Sequence, residues 1–362
     1  MALTDYVTLG RSGLRVSPLC LGAMTFGQDW GNIGTTVEES LDVLAAYLDR
    51  GGNFIDTANV YTKGHSEKIL GDYFADGAGL GRRDRVVIAT KFCGNMHPGD
   101  PNGGGGGRKA IFHQVEDSLR RLRTDYIDLL WCHFWDRQTP IDETMRAMSD
   151  LVEAGKVRYL GFSDHPAWVC AQAQYEARLH GWHELVALQI EYSLLQRTVE
   201  ADLMPMAREL GLGVTPWSPL RGGVLTGKFR TNVDYETTRV QADSKHLNER
   251  TDAVVDALIA IGEELKRTPA QIALNWVQTQ PGVTSTIIGA KRLSQLIDNL
   301  GALEVTLTDE HRATLDGLSA YERPFPHEFI DMVATAVQNG TSVNGRRTDA
   351  WALGPKTDDE RW

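Results

Sequence analysis

The feature that most constrains this chain is a regular alternation of short apolar segments with longer amphipathic ones. Several amphipathic segments begin with Thr, Ser or Asp and end at Gly or a basic residue, as helices do. Short strands that are apolar on both faces and alternate with helices indicate a parallel sheet covered by those helices. The predicted strands are Leu19–Gly22, Asn53–Ile55, Val86–Ala89, Ile127–Cys132, Val157–Phe162, Val186–Gln189, Gly213–Thr215 and Ser285–Ile288.

Eight such units in a chain of 362 residues predict a closed (β/α)8 barrel. An open doubly wound sheet is the alternative, and it should show a Gly-rich dinucleotide turn after its first strand. The segment "LCLGAMTFGQ" lacks that turn, which disfavours the open sheet. Ahead of the barrel, "YVTLGRSGLRVS" predicts a β-hairpin. We expect the barrel to span residues 1–318, and residues 319–362 to form a tail that packs on the barrel or is partly disordered.

Composition narrows the class of protein. A hydrophobic content of 42% and a charged content of 23% are typical of a soluble globular protein. The formal net charge of −11 disfavours nucleic acid as a partner, because phosphate backbones are bound by basic surfaces. Neither an apolar signal segment nor a run of ~18 apolar residues is found. We therefore predict a cytoplasmic protein without a membrane partner.

Two further features of the sequence are its four cysteines and a glycine-rich segment. Cys20, Cys93, Cys132 and Cys170 lie far apart, and no CxxC pair or metal-ligand spacing of histidines accompanies them. We expect four buried free thiols and no metal site. The segment "PNGGGGGRK" at residues 101–109 predicts a flexible surface loop after the third strand.

Polar residues stand where consecutive predicted strands end. Asp56 ends the second strand with Tyr61 in its loop, Lys91 ends the third strand and His133 the fourth. Singly, Asp56 could cap a helix, Lys91 could extend to solvent and His133 could be a hydrogen-bonded core residue. Because neighbouring strands lie ~4.8 Å apart and strand ends share one rim, the three side chains can meet there. Together they indicate an active site, since charges at a barrel mouth are costly unless paired or used.

These residue types suit one kind of chemistry. A phenol titrates near ~10, and a lysine cation close to Tyr61 is expected to lower that pKa. Asp56 would pair with Lys91, while His133 would donate to or orient a substrate oxygen. The set suits protonation of a carbonyl oxygen while a hydride reaches its carbon. It does not suit acyl transfer, because no Ser or Cys nucleophile with an elbow motif is present.

Later strand ends offer groups that a nucleotide needs. Ser163 and Asp164 follow the fifth strand and Gln189 ends the sixth. An aromatic ring, close-approach glycines and basic residues beside a helix N-terminus follow strands seven and eight: Trp217, Gly222, Gly223, Lys291 and Arg292. A rim aromatic packed in the core and a solvated basic turn are the alternative interpretations.

Seven segments at the predicted strand ends stand out in order along the chain: "GNFIDTANVY", "VVIATKF", "DYIDLLWCH", "VRYLGFSD", "VALQIEYSLL", "TPWSPLRGGVLTGK" and "IIGAKRLSQLIDNLGAL". On these segments the chain, from about Tyr6 to Gly317, closely resembles the aldo-keto reductase superfamily. The segments "HFWDRQTPIDETM" and "SDHPAWV" look most like its aryl-alcohol dehydrogenase-like branch.

The resemblance implies a (β/α)8 enzyme that binds NADP(H) and reversibly reduces an aldehyde or ketone. It implies a catalytic tetrad of Asp56, Tyr61, Lys91 and His133, with Tyr61 as general acid. The implied cofactor contacts are Ser163, Asp164 and Gln189 to the carboxamide, Trp217 to the nicotinamide ring, Ser218, Pro219, Leu220, Gly222 and Lys228 to the pyrophosphate, and Gly289, Lys291, Gln295, Asp298 and Asn299 to the adenosine and 2′-phosphate.

Two positions depart from the commoner pattern of that superfamily. Asp164 stands where many members have Asn or Arg, and a carboxylate can accept but not donate hydrogen bonds. Asp298 replaces the usual Glu, which shortens the reach toward the adenine.

Lys291 and Arg292 favour NADP over NAD, because NADP carries a 2′-phosphate whose negative charge these cations can pair with.

Substrate specificity is expected in the loops after the strands. Their apolar side chains are Met24, Phe26, Trp30, Phe134 and Trp135. An aromatic mouth suits aryl or other hydrophobic carbonyls, although a sugar ketone or a pyridoxal-like aldehyde is also compatible. Some of these side chains could instead pack the loops onto the barrel.

Two other classes of function stay open. One is a cofactor-binding regulatory subunit with little turnover, and the other is an isomerase or aldolase that uses Lys91 as a Schiff base. Oligomeric state is undetermined, because no apolar stripe can be told apart from the core faces of the helices.

Overall fold

The computed structural model describes residues 1–230, 240, 244 and 246–361. The chain begins with an antiparallel hairpin of β1 (Val7–Thr8) and β2 (Arg15–Val16), as predicted. Eight parallel strands of the described residues then form one sheet. These strands are β3 (Leu19–Gly22), β4 (Phe54–Asp56), β5 (Val87–Phe92), β6 (Ile127–Cys132), β7 (Val157–Ser163), β8 (Leu185–Glu191), β9 (Gly213–Trp217) and β10 (Thr286–Gly289).

The strands lie in the order β10–β3–β4–β5–β6–β7–β8–β9. A parallel bridge between Val214 of β9 and Val283, which precedes β10, joins the two edges. The amide of Thr284 donates to the carbonyl of Val214 at 2.8 Å across the same seam. The sheet is therefore a nearly closed barrel, and the predicted (β/α)8 fold is confirmed.

Helices alternate with the strands and cover the outside of the sheet. In the described part of the barrel they are α1 (Val37–Asp49), α2 (His65–Ala75), α3 (Arg108–Leu122), α4 (Ile141–Glu153), α5 (Ala167–His180), α6 (Leu203–Leu210), α7 (Glu249–Leu265), α8 (Pro269–Gln278), α9 (Leu293–Leu300) and α10 (Asp309–Leu318). Several begin with a side-chain cap: Thr36 and Glu39 form a reciprocal capping box on α1, and Thr268 and Gln271 form another on α8.

The strands run further than the sequence predicted. β5 continues through Lys91 to Phe92, and β9 continues to Trp217. Polar residues normally end a buried strand, but Thr90 and Lys91 are fully buried and find partners inside the protein. The strand can therefore extend to the rim without leaving polar groups unpaired.

The hairpin closes the N-terminal end of the barrel. Leu9 and Val16 are fully buried among the inward-facing residues of the strands, such as Phe54 and Trp131. Gly10 has φ +57°, and a Cβ there would lie 2.3 Å from the carbonyl oxygen of Val186, so only glycine fits. The opposite end, where the strands terminate, stays free for a site.

The glycine-rich segment is packed, in contrast to the flexible surface loop predicted for it. The amide of Gly105 donates to the carbonyl of Cys93 at 2.8 Å, and the amide of Gly106 donates to Asp136 Oδ2 at 2.9 Å. A Cβ on Gly104 would lie 2.6 Å from Asn95 Cα. The glycines allow this close approach of backbone to backbone, which composition alone does not reveal.

The chain divides into two compact units, Met1–Ala320 and Tyr321–Trp362. The second contains α11 (His327–Gln338) and an antiparallel pair of β11 (Ser342–Val343) and β12 (Arg346–Arg347). The predicted packing or partial disorder of residues 319–362 stays a prediction. All four cysteines are buried and free, as expected. Across the described ranges, every helix is too short or too polar to span a bilayer.

The burial of the N-terminal hairpin against the end of the barrel gives a prediction for stability. Leu9→Ala leaves a cavity in the barrel floor and should lower the free energy of unfolding by about 2–5 kcal/mol in urea denaturation. The matched control is Leu80→Ala, because Leu80 is 69% exposed and its truncation should change stability by less than about 0.5 kcal/mol. Equal stability of the two variants would show that the hairpin does not support the barrel.

Candidate active site

A buried ion pair lies at the strand ends of the barrel. Lys91 Nζ donates to Asp56 Oδ2 and, at 2.8 Å, to the carbonyl of Thr57. The second oxygen of Asp56 accepts from Gln189 Nε2 at 2.9 Å. Both charged side chains are almost fully buried. Residues from β4, the loop that follows it, β5 and β8 thus satisfy both charges, and the predicted meeting of Asp56 with Lys91 is observed.

Tyr61 lies directly above this pair. It begins a 3-10 turn after β4 in which Thr62 and Lys63 have positive φ angles. Lys91 Nζ lies 4.6 Å from the centre of the Tyr61 ring. The turn therefore carries the phenol back over the lysine.

The proton states of Lys91 and Tyr61 follow from this arrangement. Burial opposes the charge of Lys91, but Asp56 and Tyr61 raise the pKa of Lys91 above its usual value. Burial also raises the pKa of Tyr61, and this outweighs the lowering by Lys91. The expected net lowering of the Tyr61 pKa is wrong, because desolvation of the phenolate is the larger effect. The phenol of Tyr61 therefore stays protonated at neutral pH.

His133, the fourth residue of the predicted tetrad, lies beside Tyr61. The two rings lie 5.7 Å apart at 80°. Burial and the nearby charge of Lys91 lower the pKa of His133 to about 2, so the imidazole is neutral. Its Nδ1 is buried and lacks a hydrogen-bond partner among the described residues. A neutral ring with an open nitrogen suits an orienting or hydrogen-bonding role.

The ends of β7, β8 and β9 bring four predicted cofactor residues together. Trp217 Nε1 donates to Asp164 Oδ1 at 3.0 Å, and Ser163 Oγ donates to Asp164 Oδ2 at 3.2 Å. The amide of Asp164 donates to the carbonyl of Gln189 at 3.1 Å. Asp164 as a whole is exposed at the rim. The protein around its carboxylate nevertheless keeps water from it, and this desolvation raises the pKa of Asp164 to about 6. The aspartate that stands in place of Asn or Arg thus accepts hydrogen bonds from two neighbouring side chains, Trp217 and Ser163.

The loop after β9 has the shape of a ligand cradle. Ser218, Gly222 and Gly223 have positive φ angles, so the backbone turns sharply beyond Trp217. Lys228 lies beside this turn, because a Cβ on Gly223 would lie 2.9 Å from Lys228 Nζ. Burial, and to a lesser extent the charge of Lys291, lower the pKa of Lys228. Two cations beside a glycine turn fit an anionic group such as a phosphate. Pro219 and Leu220 lie between Ser218 and this turn.

The segment after β10 holds the other predicted cofactor residues. The amide of Lys291 donates to Gln295 Oε1 at 2.8 Å, and Asn299 Nδ2 donates to the carbonyl of Gly289 at 3.1 Å. Arg292 occupies the N-cap position of α9. These contacts shape the start of α9 around Lys291.

Asp298, the remaining predicted adenosine contact, is hydrogen-bonded to side chains of the neighbouring helix α8 and its N-cap. Its carboxylate accepts from Thr268 Oγ at 3.1 Å and from Gln271 Nε2 at 3.0 Å, at the start of α8. The side chain is already engaged within the protein, so its contact with an adenine stays a prediction.

The predicted substrate residues divide into two groups. The ring of Trp30 meets that of Tyr61 edge-on at 6.0 Å, and Phe134 stacks on His133 at 4.7 Å. Both rings thus lie next to residues of the predicted tetrad, and Phe134 is 42% exposed.

Met24 and Trp135 are half-buried, and Trp135 packs edge-on against Trp168 at 5.4 Å. Phe26 is fully buried in the hydrophobic core. It supports the first loop from below and does not line an open mouth.

Sequence reasoning missed a second buried charge network behind the site. Glu67 of α2 is fully buried, accepting from Thr90 Oγ at 2.5 Å and from Arg121 Nε at 2.6 Å. It fixes β5 immediately before Lys91. In the sequence Glu67 stands in an amphipathic helix, where a carboxylate is ordinarily a surface residue, so no local signal identified it.

Comparison with known proteins gives a consistent result. The aldo/keto reductase family profile matches residues 18–320. An uncharacterized oxidoreductase of Bacillus subtilis (strain 168) is 40% identical over 316 residues, covering 84% of this chain and 93% of that protein. Norsolorinic acid reductase B of Aspergillus parasiticus is 36% identical, covering 88% and 85%. The aryl-alcohol dehydrogenase [NADP(+)] of Phanerodontia chrysosporium is 34% identical, covering 87% and 86%.

The environment of His133 gives a prediction by titration. Because the pKa of His133 is lowered to about 2, its imidazole stays neutral between pH 5 and 8. NMR of histidine-labelled protein, with His133→Gln to assign the signal, should show a His133 resonance whose shift is constant over that range. In urea the same signal should titrate near ~6.5. A folded-state midpoint near that value would show that the ring is solvated and charged at neutral pH.

Proposed function

The chain belongs to the aldo/keto reductase family, and from that premise we propose that it uses NADPH to reduce an aldehyde or ketone to the alcohol. The observation that carries this proposal is the position of Tyr61 next to both the cation of Lys91 and the neutral ring of His133. Members of this family are oxidoreductases that use nicotinamide cofactors. The protein's own side chains then supply the proton, the charge stabilisation and the orientation of the substrate.

Proton transfer is assigned to Tyr61. A carbonyl oxygen that gains electron density is stabilised by a nearby cation and by hydrogen-bond donors. Tyr61 donates its proton to that oxygen, and Lys91 stabilises the phenolate that remains. Asp56 holds Lys91 in place and keeps it charged. His133 lies beside the phenol and orients the substrate oxygen.

The residues of the rim fit the implied cofactor. A bound NADPH supplies the hydride. Trp217, Asp164 and Gln189 present a flat ring and polar groups at the strand ends. Lys228 and Lys291 gather positive charge beside the Gly222–Gly223 turn, which suits phosphate groups. These observations support the predicted contacts to carboxamide, ring, pyrophosphate and 2′-phosphate.

The aromatic surroundings favour apolar substrates. Trp30 and Phe134 flank Tyr61 and His133, so a substrate carbonyl that reaches the phenol lies among aromatic rings. We propose aryl and other hydrophobic aldehydes or ketones as the substrate class. The similarity to an enzyme named for aryl alcohols supports this choice.

The Schiff-base alternative is disfavoured by the state of Lys91. A lysine that attacks a carbonyl must be neutral. The bonds of Lys91 to Asp56 and to the Thr57 carbonyl, together with its raised pKa, keep it protonated. The regulatory alternative differs from the proposal in turnover, which an assay measures directly.

Turnover should depend on the Tyr61 hydroxyl. NADPH oxidation with 4-nitrobenzaldehyde should proceed in the wild type, and Tyr61→Phe should lower kcat by about 10²–10⁴-fold while NADPH still quenches tryptophan fluorescence. Tyr175→Phe is the matched control, because Tyr175 is 59% exposed. NADPH binding without turnover on a panel of aldehydes and ketones would instead indicate a regulatory subunit.

Cofactor choice should depend on Lys291. Lys291→Gln should lower kcat/KM for NADPH relative to NADH by about 10–100-fold, since a hydrogen bond to a charged group contributes about 1.5–3 kcal/mol. Lys68→Gln, a surface lysine paired with Asp72 on α2, is the control. An unchanged ratio of the two kcat/KM values in Lys291→Gln would remove this residue from the 2′-phosphate pocket.

A further inference from the structure

Three potential metal ligands converge on the outer surface of the barrel, in a region that the reductase chemistry does not use. His113 and Asp117 lie one helical turn apart on α3, and His97 lies in the loop between β5 and α3. We name these three residues the His97 cluster. One nitrogen from each histidine and one oxygen of Asp117 all lie within 4.8 Å of one another.

The distances suit a shared cation. His97 Nε2 lies 3.5 Å and His113 Nδ1 lies 3.9 Å from the same oxygen, Asp117 Oδ2. Two ligands bound to zinc at about 2.0–2.2 Å with tetrahedral angles stand about 3.4 Å apart. The first pair already has that separation, and the second, whose His113 ring is exposed, exceeds it by about 0.5 Å.

Ordinary hydrogen bonding does not account for the convergence. An N–H···O bond spans about 2.7–3.2 Å, and both histidine contacts to Asp117 Oδ2 are longer. The Asp117 side chain is 11% exposed, and Arg120 pairs with its other oxygen, Oδ1. Oδ2 is thus left facing two imidazole rings whose centres lie 5.2 Å apart.

The glycine-rich loop holds His97 in this position. The amide of His97 donates to Asn95 Oδ1 at 2.7 Å, and its carbonyl accepts from the amide of Asp100 at 3.0 Å. A Cβ on Gly103 would lie 2.8 Å from the Cβ of His97. These two hydrogen bonds, with the close approach that Gly103 allows, fix His97 in the loop before α3.

We propose that the His97 cluster binds a divalent transition-metal ion, with zinc as the reference metal. Two imidazole nitrogens and one carboxylate oxygen form a donor set typical of zinc, and water fills the remaining positions. The bound ion ties the loop that follows the Lys91 strand to helix α3. This inference stands apart from the reductase chemistry and does not depend on it.

The test is a zinc titration of the tag-free full chain against a competing fluorescent chelator, with circular dichroism to confirm folding. The wild type should bind one zinc equivalent, and His97→Gln and His113→Gln should each weaken binding by at least about tenfold. Loss of even an outer hydrogen-bond partner costs a metal site about 10–100-fold. The matched control is His180→Gln, because His180 pairs with Glu176 at 3.3 Å one turn away on α5 and lies outside any three-ligand group of the described residues.

Hydrogen exchange supplies a second readout. Zinc should slow amide exchange in residues 95–107 of the wild type and of His180→Gln, but not of His97→Gln. Absence of saturable zinc binding in the wild type overturns the proposal. So does zinc binding by His97→Gln or His113→Gln that equals that of His180→Gln, since the ion would then be held elsewhere.

Discussion

The buried pair of Lys91 and Asp56 is the interaction on which the rest of the site depends. Removing two ions from water costs several kcal/mol each, and the cost is met only when geometry and hydrogen bonding are complete. Here Gln189 of β8 donates across the barrel to Asp56, and Lys91 donates to the carbonyl of Thr57. The complete set of hydrogen bonds around the pair therefore requires the barrel, in which β8 lies opposite β4. Loss of either partner leaves an uncompensated charge worth about 3–5 kcal/mol.

One environment sets three different proton states around this pair. Lys91 stays charged because Asp56 and Tyr61 offset its burial. His133 is neutral because it is buried beside that same charge, and Tyr61 stays protonated because enclosure disfavours the phenolate. A fixed cation therefore lies next to a protonated phenol. That arrangement suits a reaction in which negative charge develops on a substrate oxygen.

Much of this arrangement could be predicted from the sequence, for definable reasons. Strand and helix periodicity identified the barrel, and strand ends located Asp56, Lys91 and His133, because parallel strands end at one rim. The net shift of the Tyr61 pKa could not be predicted, since it depends on how burial compares with the charge of Lys91. The core position of Phe26, the engagement of Asp298 and the buried Glu67 depend on tertiary contacts between distant segments.

The most direct measurement is the transfer of deuterium from NADPH labelled at both C4 positions to 4-nitrobenzaldehyde, followed by mass spectrometry. We expect an alcohol with one deuterium on its benzylic carbon in the wild type. In Lys91→Met we expect transfer at least about 10²-fold slower, with NADPH binding retained as the sign of a folded barrel. Alcohol without deuterium, or equal rates in the two proteins, would contradict a hydride-transfer site organised by Lys91.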